Sequence, residues 1–174
     1  MKTDNIINFK SIGIIHSPFK EPRGVPIQPS GAKGIEGSVE VFSKYLEGLK
    51  DIEGFSHIIL IYYFHLAKKT SLSVIPFMDT QQHGVFATRA SARPNPIGFS
   101  VVELEKVDGN LLLVKDIDIV DGTPLLDIKP CVPQFDFSEV TKTGWLENAV
   151  QDVADTKDDG RFIENKNSKN NAPY

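Results

Sequence analysis

The chain has 174 residues, 40% of them hydrophobic and 24% charged, the profile of one globular domain with enough core to fold without a structural metal or disulfides. Its single cysteine, Cys131, excludes an intramolecular disulfide and any cysteine-built zinc site. The formal charge is −4, and the segment Glu147 to Glu164, with six acids against two bases, accounts for all of it, so the acidic average weakens the case for a polyanionic partner without excluding one. The opening MKTDNIINFK lacks the apolar stretch of a secretory leader. The longest apolar run, Ile58 to Phe64, is far short of the ~20 residues that span a bilayer. The expectation is a cytoplasmic protein with no membrane contact.

In chain order, the first strand is expected over Ile6 to His16, ending at the turn-like Ser17-Pro18. The loop KEPRGVPIQPSGAKG follows, with prolines at 22, 26 and 29 and glycines at 24, 31 and 34, a density that forbids helix and central strand. Ser38 to Phe42 reads as a short strand and Tyr45 to Ile52 as a helical turn or two. Ser56 to His65 is the strongest strand, β-branched and aromatic and apolar on both faces. His83 to Thr88 reads as another strand, leading into a proline-rich corner from Arg89 to Gly98. Phe99 to Val107 and Leu111 to Ile119 flank Asp108-Gly109, a hairpin signal because glycine tolerates the positive φ such turns need. Asp121-Gly122 marks a turn before the strand Leu125 to Lys129.

These elements predict an all-β fold with short helices, a six- or seven-stranded barrel or sandwich. No βαβ alternation and no glycine-rich strand-to-helix turn is present, which excludes a Rossmann-type cofactor site. Residues 1–138 would form the barrel domain. Residues 139–174 would add a short helix over Thr141 to Val150, then the acidic segment and a tail, NKNSKNNAP, of disordered composition.

Four segments set polar groups on stiff backbone. The loop from Pro22 to Gln28, with Arg23, is either a surface connection or part of a site, since long loops often carry sites. His65 ends the strongest strand; a lone histidine there is usually a hydrogen-bonded structural residue, and histidines 16, 57, 65 and 83 show no metal-ligand spacing. No metal is expected. In Arg89-Ala-Ser-Ala-Arg93-Pro-Asn95-Pro-Ile-Gly98, two prolines stiffen a corner that presents arginine and asparagine, groups suited to a carboxylate, a phosphate or a base edge. In Asp127-Ile128-Lys129-Pro130, acid and base two apart share one strand face, either pairing together or orienting a zwitterionic ligand. No G-x-S-x-G elbow, P-loop or H-E-x-x-H is present. Cys131 reads as a small hydrophobe rather than a nucleophile.

Together the stretches IGIIHSPFKEPRGVPIQPSG, GLKDIEGFSHIILIYYFH, GVFATRASARPNPIGFSVVEL and DIVDGTPLLDIKP resemble the tRNA adenine-N6 methyltransferases of the TsaA-like β-barrel family, in family order from Ile12 to Asp136. The pairing of R-P-N-P-I-G with D-G-T-P-x-x-D-I-K-P is far more specific than a lone glycine motif. The resemblance implies a dimeric enzyme that binds S-adenosylmethionine. It would methylate N6 of threonylcarbamoyl-adenosine immediately 3′ of the anticodon, reached in the single-stranded anticodon loop of tRNA. Carried onto this sequence, the cofactor contacts are Pro26, Ile27, Gln28, His65, Leu66, Arg89, Asp127, Ile128, Lys129 and Pro130. Arg23, Arg93 and Asn95 are the candidate RNA contacts, and Asp127 is the candidate to take the departing proton. Many members carry arginine where this chain has Ile27 and tyrosine where it has Cys131, which bears on substrate choice more than on the cofactor. Two other readings compete: a non-catalytic S-adenosylmethionine sensor, and a methyltransferase acting on a small molecule or a protein.

Overall fold

The computed structural model describes residues 5–136, 139–147, 149 and 153–163. Among the described residues eight strands form: β1 (Gly13–His16), β2 (Gly37–Val41), β3 (His57–Tyr63), β4 (Ser73–Val74), β5 (His83–Gly84), β6 (Ile97–Asp108), β7 (Leu111–Lys115) and β8 (Thr123–Pro130). Six of them close a barrel in the order β1-β2-β7-β6-β3-β8, with every pair antiparallel; β4 and β5 make a separate two-stranded ribbon. The expected barrel is present, with six strands.

β3 explains why a strand can be apolar on both faces. It pairs with β6 on one side and β8 on the other, and Ile58, Leu60 and Tyr62 point inward, buried, while Ile59 and Ile61 stay half-covered outside. Inward residues from all six strands, among them Ile15, Val39, Leu60, Val102, Leu112, Val114 and Leu125, fill the interior as one cluster. At about 25 cal/mol per Å² of apolar surface removed from water, such a cluster is the main force holding the barrel. The Asp108-Gly109 signal marks a true hairpin: Asp108 pairs with Leu111, and Gly109 turns with φ 62°.

Several expected strands are shorter than read. Of Ile6 to His16 only Gly13–His16 is strand; Ile6, Ile7 and Phe9 are exposed, so apolar side chains there have no sheet to join. Of His83 to Thr88 only the first two residues are strand, and Val85–Ala87 coils into a 3-10 turn. β7 stops at Lys115 because Asp116 turns left-handed, φ 65°, and accepts a 2.7 Å hydrogen bond from the Gly34 amide. The expected turns near Tyr45 are 3-10 turns over Ser43–Leu49 and Ile52–Gly54. Within Thr141 to Val150 the structure has a 3-10 turn, Gly144–Leu146, with residues 148 and 150 outside the described set. A short helix α1 spans Pro133–Asp136, and the tail NKNSKNNAP lies outside the described residues.

Residues 153–163 return to the barrel. Asp158 pairs with the loop through its amide to the Val25 carbonyl, 2.8 Å, and its carbonyl to the Gly24 amide, 2.7 Å. Lys157 bridges Pro26 in antiparallel fashion. Arg161 donates to the Pro76 carbonyl at 2.8 Å and lies over the Phe77 ring, which meets Phe162 edge-on at 5.1 Å. This strap turns a loop without secondary structure into one wall of a cleft.

Candidate active site

The cleft opens at one end of the barrel, where β3 runs out into Phe64, His65 and Leu66. It holds a cavity of about 160 Å³ between the loop from Pro22 to Gln28, the corner Arg89 to Phe99, the segment Asp118 to Thr123, and Asp158, Phe162 and Ile163 of the strap. Its walls are apolar and aromatic, with a few polar groups converging, the usual make-up of a small-molecule site.

Arg89 is the exposed cation of the cleft. Its Nη1 donates to the Gln28 side-chain carbonyl, and its guanidinium lies over the Phe99 ring, 4.8 Å from the centroid. That leaves donors able to grip a carboxylate. His65 is half-buried, and burial lowers its pKa, which favours the neutral ring. Thr123 Oγ1 gives its proton to the Val120 carbonyl at 2.6 Å, so at the 3.4 Å contact with His65 Nδ1 the imidazole is the donor.

A carboxylate system also faces the cleft. Tyr62 Oη lies 3.1 Å from Ser100 Oγ, which donates at 2.6 Å to Asp118 Oδ1. Since the serine proton goes to Asp118, the tyrosine hydroxyl donates to the serine. Burial pushes the Asp118 carboxyl from 3.8 up to about 6, while Ser100 and the charge of Arg89 hold the rise in check. The Tyr62 hydroxyl is driven far above its ordinary range, mainly by burial and then by the Asp118 charge.

The residues fit S-adenosylmethionine as a class of ligand. Arg89 can meet its carboxylate, and Val25, Phe64, Leu66 and Ile119 can flank an aromatic base. Among the described residues, no group of three or more His, Cys, Asp or Glu side chains is placed to hold a metal ion, and no helix is long and apolar enough to cross a membrane.

Comparison with known proteins agrees with the barrel fold. A family model described as the tRNA-methyltransferase O N-terminal domain matches residues 14–137. The chain belongs to that family. A probable S-adenosyl-L-methionine-binding protein of Pyrococcus abyssi is 63% identical over 158 residues, 91% of this chain and 86% of that one. The tRNA (adenine(37)-N6)-methyltransferase of Escherichia coli K12 is 39% identical over 135 residues, 72% of this chain and 57% of that one. The crystal structure of TrmO from Pseudomonas aeruginosa superposes with a TM-score of 0.68 at 38% identity, covering 81% of this chain and 63% of that chain. The chain therefore spans somewhat less than two thirds of that longer protein.

Within this tRNA-methyltransferase O fold, the residues singled out from sequence fall into three places. Pro26, Ile27, Gln28, His65, Leu66, Arg89 and Arg93 all line the cleft. Asp127, Ile128 and Pro130 instead line a separate concavity with Lys44, Tyr45 and Phe55. Lys129 is exposed and pairs with Asp127 at 2.8 Å. β8 joins the two sites: Thr123 sits at the cleft, and Asp127 is four residues along, about 13 Å at the usual rise of ~3.3 Å per residue. Arg23 and Asn95 are exposed outside the cleft lining.

Arg93 lies inside its own corner. Its guanidinium donates to the carbonyls of Ala90, Val85 and Thr88 at 2.9, 3.1 and 2.6 Å. Sequence reasoning missed Asp118, Ser100, Phe64 and the strap residue Asp158. A signal for Asp118 existed: an acid inside the apolar run Ile117 to Val120, a position where an unpaired charge is costly.

Proposed function

We propose that this chain is an S-adenosylmethionine-dependent methyltransferase that methylates N6 of threonylcarbamoyl-adenosine immediately 3′ of the anticodon in tRNA, acting in the cytoplasm as a homodimer. The observation that carries this reading is the convergence of Arg89, Gln28, His65 and Asp118 on one apolar cleft at the barrel end. The cofactor supplies an electrophilic methyl group on sulfur; the protein's task is to hold donor and acceptor in line. Such positioning can contribute ~7–11 kcal/mol, which suits an amide-like N6 that is a poor nucleophile. The name of the Escherichia coli relative supports the adenine acceptor, and the name of the Pyrococcus abyssi relative supports the cofactor.

Arg23 and Asn95, both exposed, are proposed to meet RNA phosphate or base edges. Arg93 supports the corner from which Asn95 projects. The homodimer rests on a mismatch: the resemblance assigns Asp127 to Pro130 to the cofactor, yet within one protomer Asp127, Ile128 and Pro130 line the second concavity and Lys129 is exposed. A second copy would carry them to a cleft. With Asp127 there, its carboxylate would be a cofactor contact supplied by the partner.

Calorimetry of S-adenosylmethionine binding to the wild-type chain and to Arg89→Ala tests the cofactor site, and sedimentation tests the dimer. Saturable binding that weakens in Arg89→Ala supports the reading. Absent binding would refute it, and binding without transfer to any tRNA would favour a sensor.

A further inference from the structure

Methyl transfer to a neutral amide-like nitrogen leaves one proton too many on that nitrogen. Some group must take it. Two carboxylates among the described residues line the cleft, Asp118 and Asp158. Asp158 is occupied by the strap, where its Oδ1 accepts the Gly160 amide at 2.6 Å and Arg161 and Arg23 stand nearby. Asp118 differs in three ways. Its Oδ1 is fixed by Ser100, its remaining exposure is toward the cleft, and Ser100 is itself held by the buried Tyr62 hydroxyl. A chain of two hydrogen bonds from a barrel strand thus fixes a carboxylate in the cleft wall, and the carboxylate also accepts its own backbone amide.

We propose that the Asp118 carboxylate, positioned by Ser100 and Tyr62, accepts the proton released by the acceptor nitrogen during methyl transfer. This rests on the methyltransferase reading above. The nitrogen–carbon bond forms as the carbon–sulfur bond breaks, and the electron pair of the broken bond stays on sulfur. The N6 proton passes to Asp118 and then to water, restoring the carboxylate. A base works best when its pKa lies near the working pH, and the buried Asp118 carboxyl, raised to about 6, meets that condition. Ser100 and Tyr62 are positioning residues. Tyr62 stays protonated, because burial raises its pKa far above the ordinary range. The other ionisable groups facing this wall are Arg89, whose charge favours the ionised carboxyl, together with His65, Arg93 and Asp158 around the cleft.

The experiment is single-turnover methylation of tRNA at saturating S-adenosylmethionine across pH 5–9, run beside cofactor calorimetry and a carbon-13 carboxyl titration of labelled aspartate. The wild type should show an acid limb with a midpoint near the Asp118 value, and the resonance lost in Asp118→Asn should titrate at that same pH. Asp118→Asn should lower the plateau rate by ~10²–10⁴-fold, remove the limb and leave cofactor affinity unchanged. Ser100→Ala should keep the limb but move it to higher pH, because the serine hydrogen bond favours the ionised carboxyl. A limb that survives in Asp118→Asn belongs to another group of the cleft, such as His65 or Asp158, and overturns the proposal. So does an equal loss of cofactor affinity and rate, which would make Asp118 a counter-charge for the cofactor. A wild type that transfers no methyl group at any pH would instead defeat the methyltransferase reading, and this inference with it.

Discussion

Gly98 lies flat against the ring of Tyr62: a Cβ built on Gly98 would stand 2.5 Å from Tyr62 Cε2 and 2.7 Å from Phe64 Cζ. The glycine that ends the R-P-N-P-I-G corner is there because an aromatic ring occupies the space a side chain would need. Gly98→Ala must therefore push Tyr62 or β6 aside. We expect a loss of about 1–3 kcal/mol, typical of an overpacked core, measured by urea denaturation. Because Tyr62 holds Ser100, the same change should also disturb the Asp118 system.

The Asp118 carboxyl makes stability depend on pH. Its folded pKa, about 6, lies above the ordinary 3.8. The group thus favours the folded state fully below pH 3.8, and that contribution is lost as pH rises through about 6. A tenfold change in acidity corresponds to ~1.36 kcal/mol, so the charged carboxyl costs roughly 3 kcal/mol at most at pH 8. Asp118→Asn keeps an oxygen acceptor for Ser100 and removes the charge. It should melt higher than the wild type at pH 8 and like it at pH 3.5. A variant less stable at both pH values would contradict this.

Arg89 and Arg93 should separate when each is replaced by alanine. Arg89 is exposed, facing the cleft with Gln28 and Phe99. Arg89→Ala should weaken cofactor binding by ~10–100-fold, the worth of a charged hydrogen bond, with little change in melting. Arg93 holds three carbonyls of its corner. Arg93→Ala should cost about 2–4 kcal/mol of stability, since those carbonyls lose a shared partner. Paired calorimetry and thermal melts of both variants check the split.

The closed barrel was legible because β-branched periodicity and the two Asp-Gly turns report local geometry. β3 in particular shows its two-sided pairing in its composition. The strand ends were not legible. Asp116 adopts a left-handed turn whose partner, the Gly34 amide, lies 82 residues away, and Ile6 to Phe9 look like strand residues but find no neighbour to pair with. In the site, prolines and arginines advertised the two loops. Asp118 was hidden because its meaning comes from Ser100 and Tyr62 on other strands. The acidic segment looked like a solvated tail, yet Asp158 pairs with Val25, and the apolar Phe162 packs on the cluster of Val74, Val85, Ala90 and Ala92.

Arg161 ties that strap to the Pro76 carbonyl and the Phe77 ring, with its guanidinium paired to Asp159 of the strap itself. Arg161→Ala should loosen residues 156–163 without unfolding the barrel. Amide exchange at Gly24 and Asp158 should rise, and cofactor affinity should fall by about ten-fold, a loss of ~1.4 kcal/mol. Unchanged exchange at both amides would show that the strap does not depend on this arginine.

The central claim meets its most direct test in a tritiated S-adenosylmethionine assay on bulk tRNA from a strain lacking this protein, followed by nucleoside mass spectrometry. The account predicts label in tRNA, carried as a methyl group on N6 of threonylcarbamoyl-adenosine, with a rate that falls steeply as salt rises. Cofactor binding by calorimetry with no label in any tRNA would contradict it.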